Sequence, residues 1–125
     1  MRDDVRAYLL SDHRDPVEGI LACADEVAGP ADGLDNRLRA CLQDRGLLHR
    51  LPDVLRGAVA AAGGELRAQP VAAPPYVVVT SVGPILRATL DGGRLVVGVR
   101  VFRREDGGYV RSAETPEEAL VVEVR

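Results

Sequence analysis

Residues 85–113, ILRATLDGGRLVVGVRVFRREDGGYVRSA, alternate apolar and polar side chains with the period of two that marks a half-buried strand. Two turn signals interrupt the alternation. Asp91-Gly92-Gly93-Arg94 and Glu105-Asp106-Gly107-Gly108 both have hairpin composition. A two-residue loop at Gly92-Gly93 sets Leu90 opposite Leu95, Ala88 opposite Val97 and Leu86 opposite Val99. One at Asp106-Gly107 sets Val101 opposite Ser112 and Arg103 opposite Val110. Both registers gather Leu86, Ala88, Leu90, Leu95, Val97, Val99, Val101 and Val110 on one side. A one-residue slip in either turn would scatter them. That side is expected to be packed by helices.

The opposite side then carries Arg87, Thr89, Arg100, Phe102, Arg104, Tyr109 and Arg111, with Phe102 facing Arg111 and Arg104 facing Tyr109. This is the candidate binding face. Arg interleaved with aromatic rings suits phosphate and base stacking, self-association, or no partner at all, since antiparallel sheets often leave one face wet.

Working outward, residues 76–81 and 120–124 read as further strands, and the 70–75 stretch Pro-Val-Ala-Ala-Pro-Pro as an extended connector. Thr115-Pro116-Glu117-Glu118 is a capping-box pattern before the last strand, whose place in the sheet the residues leave open. The first half reads as helices. Residues 3–12 place Val5, Tyr8 and Leu9 at helical spacing. Asp15-Pro16 restarts a helix whose stripe is Val17, Ile20, Leu21, Ala24 and Val27, and Gly29-Pro30 stops it. A third helix runs from about Asp32 to Arg45, and a fourth from Pro52 to Gly63-Gly64. Short helices depend on tertiary packing, so the sheet must cover their stripes. The expected fold is α+β: about four short N-terminal helices on one face of a four- to five-stranded, mostly antiparallel meander. Residues 1–125 fit one domain, divided at 1–64, 65–75 and 76–125.

The chain has 125 residues and a net charge of −3, which argues against a general nucleic-acid binder. All sixteen basic residues are Arg, so lysine chemistry such as a Schiff base is excluded. Aromatics make up 3%, leaving the core to Val, Leu and Ala. No apolar run approaches the roughly 20 residues of a membrane span. The acidic N-terminus lacks a signal core, and a cytoplasmic location is expected. In that compartment Cys23 and Cys41 are expected as reduced core thiols.

Cys23 and Cys41 lie at equal distances from the turn near residue 32, as do His13 and His49. Ten helical residues between His13 and Cys23 span about 15 Å, too far for four ligands to converge. No metal or cofactor is expected. No GxSxG, phosphate loop or nucleophile-and-base arrangement is present. A winged helix-turn-helix fails because the helix at 52–62 offers one basic side chain to DNA. A non-catalytic interaction module is therefore the expected function, binding itself, another protein or a small ligand. A ligand-sensing or enzymatic pocket between helices and sheet, near the connector and Tyr76, is the alternative. Single-stranded nucleic acid on the Arg/aromatic face is a third.

Pro74-Pro75-Tyr76-Val77-Val78-Val79-Thr80-Ser81, Gly83-Pro84, Leu86-Arg87-Ala88-Thr89 and Arg94-Leu95-Val96-Val97 resemble a family of small uncharacterised proteins of halophilic archaea. The likeness extends more loosely over most of the chain, including Ser11-Asp12-His13. The resemblance implies no assigned activity and carries over no functional residue.

Overall fold

The computed structural model describes residues 2–125. Four helices come first: α1 (Arg2–Asp12), α2 (Arg14–Val27), α3 (Leu34–Asp44) and, after a 3-10 turn at Leu48–Arg50, α4 (Leu51–Ala61). Strands β1 (Val77–Val79), β2 (Pro84–Leu90), β3 (Gly93–Val99), β4 (Phe102–Glu105) and β5 (Gly108–Arg111) follow. A single turn, α5 (Pro116–Ala119), leads into β6 (Leu120–Val124). The class is α+β, as the alternation and helical stripes imply.

Four strands form one antiparallel sheet in the order β1-β2-β3-β6, which places the last strand beside β3. The helices lie on one side, with α4 over β2, α1 over β6 and α3 against β1. Leu86, Ala88, Leu95, Val97, Val99 and Val122 turn to that side and join Leu9, Ile20, Leu38 and Leu55 in one buried cluster. Burial of this apolar surface is the main stabilising term of the fold.

The first hairpin differs from the expected register. Its loop is Asp91-Gly92, so Leu90 pairs with Gly93, Ala88 with Leu95 and Leu86 with Val97. The shift is by two residues, and a shift of two leaves every side chain on its own face. The second register is as the turn signal implies: Phe102 opposes Arg111, Arg103 opposes Val110 and Arg104 opposes Tyr109. Asp106 (φ 49°) and Gly107 (φ 77°) make its tight turn with both central residues left-handed, the type that fits strand twist.

The alternation expected to run unbroken between the two turns is broken. Arg100 N–H still reaches β6's approach at Ala119 O (2.8 Å), but Val101 and Phe102 both donate to Val82 O, at 2.9 and 3.0 Å. Two consecutive N–H groups on one carbonyl upset the alternation, and Val101 and Phe102 are both buried. The crossing is tight: a Cβ on Gly83 would collide with Val99 O, and Gly83 has φ 151°. Beyond this point β4 and β5 form a separate two-stranded sheet with its faces exchanged. Val110, expected inside, is exposed. Phe102, Tyr109 and Arg111, expected on the bare face, are drawn inward: Phe102 is buried, Tyr109 packs on the core and Arg111 pairs with Asp25 of α2, while Arg104, which shares their strand face, stays exposed.

A second correction concerns the cysteines. Cys23 and Cys41 form a disulfide across the α2–α3 pair, with Cα atoms 5.8 Å apart. Their equal spacing from the turn had the geometric content; the expectation of reduced thiols came from compartment, which has none.

Other tethers tie the helices to the chain's end. Arg6 donates to Leu120 O (2.6 Å) and Glu117 O, and Arg14 grips the Glu117 carboxylate at 2.7 and 3.0 Å. Thr115 caps α5, accepting from Glu118 N–H, while Glu118 Oε1 accepts from Glu114 N–H.

Candidate interaction face

Strand alternation sends Ile85, Arg87 and Thr89 of β2, Arg94, Val96 and Gly98 of β3, and Val121 and Glu123 of β6 to the side without helices. The middle is apolar and half-buried: Ile85, Val96 and Val121. The rim is basic. Arg87, Arg94, Arg100 and Arg104 are exposed, and no side-chain hydrogen bond or ion pair holds any of them among the described residues. Arg103 and Arg125 differ, being spent on Glu105 (2.9 Å) and Glu123 (2.6 Å).

Two hollows flank the apolar middle. One, of about 580 Å³, lies where the β4–β5 hairpin leaves the sheet; Arg100, Arg103, Arg104 and Glu118 stand around it, over Ile85, Phe102 and Val121. The other, of about 410 Å³, lies between the connector and β2, beside Tyr76, Arg87 and Arg94.

Charge is unevenly shared between the halves. Residues 1–64 carry eleven acidic side chains against eight Arg, and residues 65–125 carry eight of each. The whole net charge of −3 therefore resides in the helical half, and the sheet half is neutral overall with a basic bare face.

The structure keeps four of the seven candidate residues near this face. Arg87, Thr89 and Arg100 stand on it and Arg104 overhangs the larger hollow. Phe102 lies beneath as floor, 2% exposed. Tyr109 and Arg111 are elsewhere, Arg111 donating also to Ala113 O at 2.6 Å. Arg94 is the residue that sequence reasoning missed. A Gly92-Gly93 loop sets it at the very start of its strand, opposite Asp91, whereas the observed register brings it one step into the sheet, opposite Thr89.

The histidines do not meet in a shared site. His13, at the α1–α2 corner, has Nε2 2.8 Å from Tyr8 Oη, while His49 is exposed on the 3-10 turn. Burial lowers the His13 pKa; Arg50 acts the same way, and Asp12 and Asp53 oppose it. Burial, with Asp12, raises that of Tyr8. Tyr8 sits so close to Gly57 of α4 that a Cβ there would overlap its ring. The Tyr8–His13 hydrogen bond and this close contact together hold the corner against α4. Arg14 holds the Glu117 carboxyl below its usual range through their hydrogen bond.

Fold and face together define a class: an α+β domain with one sheet face sealed by helices and the other left bare, apolar at the centre and arginine-rimmed. Residues 3–125 match DUF7988, a domain of unknown function, and the chain belongs to that family. Searches of the curated proteins and of the solved structures find no match. No helix among the described residues is long and apolar enough to cross a membrane.

Proposed function

We propose that this domain is an interaction module that docks an acidic polypeptide segment on its bare sheet face, at the hollow beside the β4–β5 hairpin. The observation that carries this is a pair of exposed guanidinium groups, Arg100 and Arg104, without an ion-pair partner among the described residues, beside an aliphatic floor of Ile85 and Val121; the one carboxylate of the hollow, Glu118, is engaged by Glu114 N–H and Thr115 Oγ1. Carboxylates from a partner would satisfy them with charge-assisted hydrogen bonds, and apolar side chains between those carboxylates would cover the floor.

Two rival occupants fit the face less well. Single-stranded nucleic acid stacks its bases on exposed rings, and Phe102 is 2% exposed while Tyr109 packs on the core. A twofold dimer whose axis passed through this hollow would set Arg100 and Arg104 near their own copies, and like charges brought together disfavour association.

The test uses a fluorescent peptide of alternating Glu and Leu, titrated by anisotropy into the native chain and into Arg100→Glu/Arg104→Glu. The native chain is expected to bind saturably. The double variant should bind at least about tenfold more weakly while its thermal unfolding stays unchanged. Equal binding by both chains would sink the proposal, as would tighter binding of a single-stranded oligonucleotide. Light scattering runs alongside: a native dimer that the variant converts to a folded monomer would assign the face to self-association instead.

A further inference from the structure

The smaller hollow is built differently from the larger one. Strand β1 covers only part of β2, and their last bond runs from Arg87 N–H to Tyr76 O at 2.8 Å. From there the connector swings away while β2 continues to Leu90. Arg94 exchanges both of its backbone bonds with Arg125, so Gly93 and Leu95 face β2 and bond towards Leu90 and Ala88. Thr89, between those two, must direct its N–H and C=O the other way, into the gap left by β1. A stretch of sheet edge with free backbone groups therefore borders a hollow of about 410 Å³, with Leu66 and Pro75 as its apolar wall.

The same hollow is ringed by positive charge. Arg87 pairs with Val96 and Thr89 with Arg94, so Arg87 and Arg94 are diagonal neighbours on one face. Neither guanidinium has a carboxylate partner among the described residues. Arg67 completes the ring, and its one ion pair among the described residues is with Asp91 at 3.3 Å, between side chains 78% and 99% exposed, an interaction worth little. Two diagonal guanidinium groups repel one another, and an anion between them removes that repulsion while accepting from both.

We infer that the hollow between the connector and β2 is a binding site for a small phosphate monoester bearing hydroxyl groups. A doubly charged head matches Arg87 and Arg94 jointly, and the Thr89 N–H supplies a further donor. The Thr89 C=O, which would repel a bare anion, suits a ligand hydroxyl, as does the phenol of Tyr76. The carbon skeleton lies against Leu66 and Pro75. This site uses neither Arg100 nor Arg104 and stands independently of the docking face.

The test is calorimetric titration of the full chain, at constant ionic strength, with glycerol phosphate, inorganic phosphate, sulfate and glycerol in turn. Glycerol phosphate is expected to saturate most tightly, glycerol not at all, and the Thr89 amide resonance should move in parallel. Arg87→Gln/Arg94→Gln should weaken binding by about tenfold or more, whereas Arg100→Gln/Arg104→Gln should bind as the native chain does. Circular dichroism confirms that both variants fold. The inference is overturned if the native chain shows no saturable binding, or if Arg87→Gln/Arg94→Gln binds unchanged. Sulfate binding as tightly as glycerol phosphate would also overturn it, since the hollow would then select charge alone. Loss confined to Arg100→Gln/Arg104→Gln would move the anion to the docking face and leave this site without support.

Discussion

The β2–β3 and β4–β5 hairpins use the same materials, alternating apolar and basic residues around a glycine turn, yet they present opposite faces to the helices. In β2–β3 the alternation runs unbroken, and Leu86, Ala88, Leu95 and Val97 are all buried. In β4–β5 the pairing is the expected one, but the residues that go inside are Phe102 and its neighbours rather than Val110. Alternation fixes which residues share a face; it does not fix which face is in. That choice is made outside the hairpin, where Val101 and Phe102 both bond to Val82 O and the phase of the strand is lost.

Truncation gives the largest test of this contrast. Phe102→Ala should cost about 3–5 kcal/mol, comparable with Leu86→Ala at about 2–5, because each leaves a cavity in the core. Val110→Ala should cost less than about 0.5 kcal/mol, as a surface change does. Urea unfolding measures all three. A large cost at Val110 with a small one at Phe102 would restore the continuous strand and break the comparison.

A smaller effect should separate the hairpins by their supports. The β4–β5 hairpin leans on α2 through Arg111 and Asp25, and α2 is held to α3 by Cys23–Cys41; β2 rests on α4. Reduction, or Cys23→Ala/Cys41→Ala, opens a loop closed over a separation of 18 residues. The expected loss is about 3 kcal/mol. Hydrogen exchange should show β5 amides losing protection before those of β2 and β3. Uniform loss would show that the two hairpins open as one unit.

The smallest effect is one of pH, and it belongs to the β2–β3 side, since Tyr8 and His13 lock against α4. Burial lowers the folded His13 pKa below its ordinary 6.5, so folding favours the neutral ring. Its contribution is fully present above pH 6.5, declines as the pH falls below that, and levels off under the folded value. His13→Gln keeps a partner for Tyr8 and removes the titration. Unfolding curves at several pH values should therefore be flatter for the variant in that window. An identical pH slope in both chains would exclude His13 as the cause.

Much of the fold is legible in local chemistry. Gly29-Pro30 ends a helix, Asp106-Gly107 makes a tight turn, and Thr115 with Glu118 caps one. The inner residues of β2 and β3 follow from alternation even though the loop lies one residue earlier than its two glycines suggest. A two-residue register error is silent because the side-chain period is two. Arg94 was hidden by that same error, which left it at the very start of its strand.

The sequence by itself determined the elements and their turns, the apolar faces of the helices and of β2–β3, and the arginine-only basic set, because each depends on residues a few positions apart. Tertiary structure alone decided the break at Arg100–Val101, the reversal of β4–β5, the berth of β6 beside β3, the Cys23–Cys41 pairing, and which guanidinium groups are left without a carboxylate. Each of those is a contest between groups distant in the chain, such as Asp25 for Arg111 or Val82 O for two amides, and it is resolved only when packing brings the competitors within a few ångströms.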